Sequence, residues 1–318
     1  MNTGFQGSSL PDLSEKIKEK TRELGFDICG IARSRPLMEY RPILEEWIGA
    51  GMHDRMNFLA RDIPKRLDPG FLLKDAKSLV VTGLNYYSDI IQEADDVPLF
   101  SRYTYGIDYH EVILSKLNRL LEWIKVLDHD VAGRPVVDSA SILEKAWARE
   151  AGLGWQGRHS IVISREAGSF FFIGILILNI ELDYDEPFEH DLCGDCRLCI
   201  DECPTAAINN NRTIDARKCI SALTIESRQP LPRNILPLFG RRIYGCDRCQ
   251  EVCPWNSRVK INNNREFDPD PEIARMTRED WLTLPLEKFS QLFGRSVLRR
   301  IRYEKFMENV RAVLNVNN

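Results

Sequence analysis

Eight of the nine cysteines fall within one stretch of the chain, and their spacing limits what that stretch can build. The first run reads Cys193-Gly-Asp-Cys196-Arg-Leu-Cys199-Ile-Asp-Glu-Cys203-Pro204. The second reads Cys246-Asp-Arg-Cys249-Gln-Glu-Val-Cys253-Pro254, with Cys219 alone between them. A C-x₂-C-x₂-C-x₃-C-P run is the bacterial two-cluster pattern, in which the fourth cysteine ligates the other cluster. Three close thiolates hold three corners of a cubane, while the cysteine before Pro points the opposite way. Crossing the ligands gives Cys193, Cys196, Cys199 and Cys253 for one cluster, and Cys203, Cys219, Cys246 and Cys249 for the other. No thiol of the eight is left over, so two 4Fe–4S clusters are expected. Two structural Cys₄ zinc sites are the bland alternative. Zinc sites usually pair two separated C-x₂-C knuckles, which a triple repeat ending in Cys-Pro is not. Disulfides fit less well, since nothing suggests export. Cys29 lies on an expected buried strand and reads as a small hydrophobe.

A chain of 318 residues is too long for a ferredoxin alone and suggests about two domains. The segment Met1 to Leu10 is polar and glycine-rich, with no basic n-region, apolar core or twin-arginine leader. The longest apolar stretch, Phe170 to Leu182, is interrupted by Gly174 and Asn179. It falls short of the roughly 20 residues a membrane helix needs. A soluble, cytoplasmic monomer is expected, in a compartment whose reducing conditions suit oxygen-sensitive clusters.

Net charge is −4, unevenly placed. Residues 217–260 hold nine Lys/Arg against three Asp/Glu, a local +6. A second basic group comprises Arg295, Arg299, Arg300, Arg302, Lys305 and Arg311. Such patches attract phosphates, although a solvated helix face is the commoner fate of a charge run. Arg228, Arg233, Arg241 and Arg242 are the first candidates for gripping a nucleic acid, with Arg299 and Arg300 as a second group.

Apolar periodicity predicts helices over Pro11–Leu24, Pro36–Ile48 and Tyr109–Leu127. Strands are expected at Phe26–Ala32, Ser78–Leu84, Val136–Val137, His159–Ile163 and Phe170–Leu182. The last is nearly all apolar, so it should be central and covered on both faces. Asp183–Asp191, acidic and carrying Pro187, is the expected domain junction. Helices follow at Arg278–Trp281, Leu286–Phe293 and Ser296–Leu314. This mixed order predicts an α+β sheet domain followed by a small cluster domain.

Three segments outside the cysteines stand out. Val137-Asp138-Ser139-Ala140 should end a strand and open a helix, where Asp138 or Ser139 would serve as an N-cap. Ala151-Gly-Leu-Gly-Trp-Gln-Gly157 places three glycines in six residues. That allows close approach of backbone to a ligand, or merely a tight connection. It is not the G-x-G-x-x-G fingerprint of dinucleotide sites. Arg102-Tyr-Thr-Tyr-Gly-Ile-Asp-Tyr-His110 is an aromatic, polar loop of the kind that lines pockets. Tyr109 and Trp155 could flank such a pocket, though aromatic residues near strand ends are more often core.

These segments, with Gly168-Ser-Phe-Phe-Phe172, Asp215-Ala-Arg-Lys-Cys-Ile-Ser221, Leu223-Thr-Ile-Glu226 and Gly245–Asn256, span most of the chain. In this order the set resembles epoxyqueuosine reductases, the cobalamin-dependent iron–sulfur enzymes of tRNA queuosine synthesis. The resemblance implies a nitroreductase-like, cobalamin-binding catalytic domain over residues 1–185. It further implies a bacterial ferredoxin-like two-cluster domain over 186–260 and a C-terminal helical segment over 261–318 packed on the core. It makes Asp138 the catalytic proton donor. It puts Arg61, Arg102, Tyr103 and Asp138 against the cobalamin, with Gly157, Arg158, His159 and Ser160 beside them and Ser221 and Asp247 on the cluster side. The partners it implies are a tRNA bearing epoxyqueuosine in its anticodon loop and a low-potential electron donor. The chain departs from the family at Ser141, where Pro is common, and at Arg158-His159, where Lys-Asn is common. Some members also carry a C-terminal HEAT-repeat extension, so a smaller tRNA grip is expected here.

Removing an epoxide oxygen to leave an alkene takes two electrons and two protons, and water departs. The hard step belongs to the cofactor, while the protein supplies position and protons. A carboxylic acid near the departing oxygen is what general acid catalysis requires, and an apolar, enclosed site would raise the Asp138 pKa to that end. No D-x-H-x-x-G stands in the chain, so no histidine ligand on cobalt is expected and His129 reads as a surface residue. Two rivals remain at this point: a cobalamin-dependent reductive dehalogenase, and a ferredoxin-type electron carrier with no catalysis of its own.

Overall fold

The computed structural model describes residues 10–90 and 94–316. The polar segment before residue 10 lies outside the described residues. Helix α1 (Leu10–Glu23) leads through Gly25 to strand β1 (Ile28–Arg33). Helix α2 (Arg41–Gly49) follows a 3₁₀ turn at Met38–Tyr40, so the helix expected from Pro36 starts later. Pro42 falls in its first turn, where a missing N–H costs nothing. Two short helices, α3 (Asn57–Ala60) and α4 (Ile63–Leu67), precede β2 (Ser78–Asn85) and the two-residue β3 (Leu99–Phe100). The long helix α5 (Tyr109–Leu127) has the expected bounds. It buries Val112, Ile113, Leu117, Leu120, Leu121 and Ile124, each worth roughly 1.5–3 kcal/mol against exposure.

Strand β4 (Gly133–Val136) and helix α6 (Glu144–Glu150) come next, then a hairpin of β5 (Trp155–Gln156) and β6 (Val162–Ile163), then β7 (Phe171–Leu178). A Cβ on Gly154 would stand 2.0 Å from the Ile163 carbonyl, so that glycine serves a tight connection. The main sheet has the order β1-β2-β7-β4, antiparallel throughout. Strand β7 is thus central, and its alternate residues enter different cores. Leu176 and Leu178 pack with α1 and α5, while Ile175 and Ile177 pack with Trp147 of α6. Val81 pairs with Ile175 in register, and the flanking residues follow the same alternation.

The expected junction at Asp183–Asp191 is clamped to the sheet domain. Asp185 accepts from Lys18 Nζ and from the Ile31 N–H, each at 2.7 Å. Beyond it lie four short elements: α7 (Leu198–Asp201), α8 (Ile220–Ile225), β8 (Arg242–Tyr244) and α9 (Arg248–Glu251). The chain closes with α10 (Pro271–Arg275), α11 (Arg278–Leu282), α12 (Leu286–Phe293) and α13 (Tyr303–Val316). Trp281, Phe293 and Phe306 from this end share one core with Phe100 of β3 and Tyr244 of β8. The helix expected over Ser296–Leu314 is broken. Ser296 caps a 3₁₀ turn at Val297–Arg300, and Ile301 is extended before α13 begins. That break turns Arg299 and Arg300 toward α5 and α8. No described helix is long and apolar enough to cross a membrane.

Candidate active site

The loop after β4 carries the first functional group. Asp138 has φ +48, the left-handed region that L-residues other than glycine rarely adopt. Its N–H donates to the carboxylate of Glu144, which ties the loop to the start of α6. The N-cap of α6 is Leu143, without a side-chain bond, so neither Asp138 nor Ser139 caps it. The expected cap is wrong because the chain runs on through Ala140–Leu143 before the helix starts.

Asp138 faces the beginning of α5. Tyr109 Oη donates to Asp138 Oδ2 at 2.9 Å, and His110 Nε2 stands 3.3 Å from the same oxygen. Asp108 caps α5 through the His110 N–H at 3.1 Å, and its carboxylate meets His110 Nδ1 at 2.7 Å. This corner is held from outside. A Cβ on Gly106, φ +67, would lie 2.0 Å from the Glu266 carbonyl, so only glycine allows that approach. The Asp108 N–H donates to the Arg295 carbonyl at 2.7 Å.

The electrostatics reverse one expectation. Burial pushes the Asp138 carboxyl up, but His110 and then Tyr109 outweigh it and leave its pKa lowered. Asp138 is therefore a carboxylate near neutral pH, because hydrogen bonds favour the charged form more than enclosure opposes it. Burial lowers His110, but its bonds to Asp108 and Asp138 win and raise it to about 9. Glu144 is pushed up to about 8 by burial first and by the Asp138 charge second.

These groups open onto a cavity of about 1490 Å³ between the sheet domain and the cysteine-bearing segment. The sheet side supplies Tyr103, Tyr109, His110, Asp138, Glu144, Lys145, Trp155 and His159. Trp47, Phe58 and Leu59 add an apolar wall from the α2–α3 region. Cys203, Cys219, Cys246 and Cys249 line the opposite side with Ser221 and Asp247. Lys145 has its pKa lowered by burial, and its neighbours include Glu144, Asp138, Cys249 and Cys219. His159 is 2 % exposed. Its Nδ1 accepts from the Ile161 N–H at 3.2 Å, which leaves the ring proton on Nε2. That buried N–H has no partner within the protein. Burial, then Lys145, pushes the ring down to about 4, so it is neutral. A buried orphan donor on the wall of so large a cavity fits a bulky ligand rich in acceptor oxygens.

The thiols lie near one another on both sides of the expected division. Burial raises Cys199 to about 11, with Cys253, Cys193 and Cys196 adding to it. Burial likewise raises Cys249, helped by Cys246 and Cys219, and Cys219 in turn feels Cys203. The first group does not line the cavity and the second does. Cys196 is exposed, while Cys199 is close enough to Cys249 to raise it further. Among the described residues no three His, Cys, Asp or Glu side chains converge on one ion-sized point. Backbone N–H groups face the sulfurs: Ala207 N–H lies 3.3 Å from Cys203 Sγ.

Of the other residues expected at the cofactor, Tyr103, Ser160, Ser221 and Asp247 line the cavity together with His159. Arg61 is exposed and lies outside the lining. Arg158 is turned away, donating to the Gly194 carbonyl at 2.6 Å, and Gly157 packs on Ile163 and His159 behind the wall. Arg102 is also withdrawn. It donates to Glu251 at 2.9 Å and stands 3.6 Å from Asp247. It therefore positions Asp247 rather than facing the cavity. Arg241 donates to the Val97 carbonyl at 2.9 Å and is a structural residue. Arg242 is half-buried against the Phe239 carbonyl. Arg228 and Arg233 are exposed. Arg299 pairs with Glu111 at 3.0 Å, and Arg300 pairs with Glu226 at 3.0 Å on the cavity wall. His129 is exposed, as expected. Glu144, Lys145 and Arg66, which also line the cavity, carry no signal in the sequence, since only the tertiary fold brings them there.

Fold and site together define an iron–sulfur oxidoreductase in which Cys203, Cys219, Cys246 and Cys249 line the same cavity as Asp138 and Glu144. Residues 192–256 match the family model described as a 4Fe-4S double cluster binding domain. Residues 66–139 match the one described as epoxyqueuosine reductase QueG. The chain belongs to the epoxyqueuosine reductase family: it is 41 % identical to the enzyme of Cellulophaga algicola, over 93 % of this chain and 96 % of that one. A crystal structure of an epoxyqueuosine reductase with an epoxyqueuosine-modified tRNA-Tyr stem loop aligns at a TM-score of 0.84 and 32 % identity, covering 95 % of this chain and 80 % of that one. One from Bacillus subtilis, described with its catalytic aspartate loop swung out of the active site, aligns at 0.84 and 31 % identity, covering 95 % and 81 %. Family membership decides against the dehalogenase and the bare-carrier readings.

Proposed function

We propose that this chain reduces epoxyqueuosine in tRNA to queuosine, removing the epoxide oxygen with two electrons and two protons. One observation carries the reading: Asp138 and the four thiols of the second cysteine set open onto the same cavity. The first cluster, with an exposed ligand and no place on the cavity wall, takes electrons from a low-potential donor. The second hands them into the cavity.

The cavity is assigned to cobalamin. When bound, the corrin supplies a strongly reducing, nucleophilic metal centre. Tyr103, His159, Ser160, Ser221 and Asp247 would hold it, with the His159 Nε2–H donating to one of its acceptor oxygens. Asp138, a carboxylate at rest, stands at the wall as the group through which a proton reaches the departing oxygen. The catalytic unit is assigned to residues 1–185, the cluster unit to 186–260 and the closing helices to 261–318. The protein works as a cytoplasmic monomer on the anticodon loop.

The test is conversion of an epoxyqueuosine-modified stem loop by protein reconstituted with iron, sulfide and cobalamin, read by mass spectrometry. Asp138→Asn cannot release a proton at working pH. It should lower turnover by about 10²–10⁴, the usual worth of a general acid, while iron content and stem-loop affinity stay intact. An Asn variant with near wild-type turnover would overturn the assignment of Asp138.

A further inference from the structure

We infer that His110, held by Asp108, is the proton store behind Asp138 and reloads it during each turnover. The inference rests on the reaction proposed above. Its basis is geometric. Asp108 Oδ1, His110 and Asp138 Oδ2 form one chain, with separations of 2.7 Å at Nδ1 and 3.3 Å at Nε2. Both imidazole nitrogens therefore face carboxylates, which is the environment of a doubly protonated ring. Asp108 is itself fixed by capping α5 and stands 3.6 Å from Arg299. Tyr109 stacks on His110 at 4.1 Å between centroids and donates to Asp138, so the pair cannot drift apart sideways.

The charges around the pair come from every packed element, and Lys145 of α6 is the cation next to Glu144 and Asp138. Asp108 and Glu111 belong to α5, and Asp138 with Glu144 to the β4–α6 connection. Glu226 closes α8, and Arg299 and Arg300 follow α12. The cations are themselves paired, Arg299 with Glu111 and Arg300 with Glu226. Two carboxylates thus face His110 directly, and its raised proton affinity follows.

The step balances as follows. At rest Asp138 is a carboxylate and His110 an imidazolium with a proton on Nε2. As charge builds on the departing oxygen, the Nε2–H bond breaks and an O–H bond forms at Asp138. That O–H bond then breaks as the departing oxygen is protonated. His110 ends neutral, Asp138 ends as a carboxylate, and solvent reprotonates the ring. The two electrons come from the clusters, loaded by the low-potential donor, and the second proton comes from solvent. His110 acts through Asp138, so it is a positioning and proton-holding residue.

The test is the pH profile of single-turnover conversion of the modified stem loop by the fully reconstituted protein. The wild type should hold its rate until pH passes the raised value of about 9. His110→Gln keeps a hydrogen-bonding side chain but holds no titratable proton. Its alkaline fall should begin at lower pH, with a rate at pH 8 at least about tenfold down, toward the low end for lost acid catalysis. Stem-loop affinity and iron content should not change. Asp108→Asn leaves His110 and Asp138 in place, and should move the same limb to lower pH by a smaller amount. It answers the question if His110→Gln fails to fold. A wild-type rate and an unmoved alkaline limb in either folded variant would overturn the relay while leaving the proposed function standing. No conversion by the wild type would overturn both.

Discussion

The indole of Trp155 donates from Nε1 to Cys193 Sγ at 3.4 Å. Trp155 also lines the cavity, so one side chain touches both that cavity and Cys193, which is assigned to the first, outer cluster. Its ring packs edge-on against Trp255, with centroids 4.8 Å apart, two residues after Cys253 of the same ligand set. A hydrogen bond to a cluster sulfur stabilises the reduced form and raises the potential. Trp155→Phe keeps most of the packing and removes the donor. The outer cluster should become harder to reduce by about 20–60 mV, the equivalent of a hydrogen bond worth about 0.5–1.5 kcal/mol in a one-electron couple. A redox titration followed by electron paramagnetic resonance reads this directly, and the inner cluster's signal should not move.

Cys219 separates the two ligand sets in a second way. It stands alone in sequence between the two runs, and its thiol neighbours are Cys203, Cys246 and Cys249. Cys219→Ala should leave the first cluster intact and damage only the second. Anaerobically reconstituted variant should retain about four irons against about eight for the wild type, the content of one and two cubanes. Equal loss from both clusters would show that the ligand sets are not divided as assigned.

Glu144 predicts an unusual pH dependence of stability. Its folded pKa is about 8 against an ordinary value of 4.5, so the folded protein holds a proton that the unfolded chain has lost. Stability must therefore fall as pH rises through that window and level off above it. His110 adds a loss in the same direction, but only above its ordinary value of 6.5 and up to about 9. Between pH 5 and 6.5 Glu144 is the group that distinguishes the variant. Glu144→Gln keeps an acceptor for the Asp138 N–H and removes the titration. Anaerobic urea unfolding of the cluster-loaded protein should show the fall with pH in the wild type and a flatter line in Glu144→Gln. Parallel slopes would mean that Glu144 is ionised in the fold.

Much of this was legible from the residues. The cysteine spacing predicts a double-cluster domain, and residues 192–256 match one, because thiol chemistry depends on a few short intervals along the chain. The apolar run at Phe170–Leu182 predicts a central strand, and β7 is bonded on both sides by β2 and β4. Helix α5 is legible to the residue because Asp108 caps it and its apolar face repeats over five turns. The charge state of Asp138 is not legible. Enclosure predicts a raised pKa, and only the three-dimensional approach of His110 and Tyr109, about thirty residues away, reverses it. The turn at Ser296–Ile301 is missed for a similar reason. Nothing in its residues forbids a helix, and the break falls at Ser296, whose hydroxyl donates to the Thr104 carbonyl at 2.6 Å. Arg241 looks like a free surface cation in sequence and is consumed by backbone carbonyls of the 94–97 loop.

That last correction sharpens the prediction for tRNA. The local +6 of residues 217–260 remains the strongest basic tract, but its members are not equivalent. Arg241→Ala should cost stability through two carbonyls left unmet, and so confound any binding measurement. Arg228 and Arg233 are exposed and free to meet phosphate. Arg299 and Arg300 are paired with Glu111 and Glu226 beside the cavity, so binding there must first exchange a carboxylate for a phosphate. Affinity for the anticodon stem loop should therefore fall most for Arg228→Ala/Arg233→Ala. Removing one arginine that neutralises a phosphate should lower the salt slope by about one unit. Arg299→Ala/Arg300→Ala should weaken binding less, because part of the attraction these two cations exert is already cancelled by the paired glutamates. Fluorescence anisotropy of a labelled stem loop, titrated over a range of salt, gives both affinity and slope. Unchanged values in both double variants would return all four arginines to the solvated surface and place the tRNA grip elsewhere on the protein.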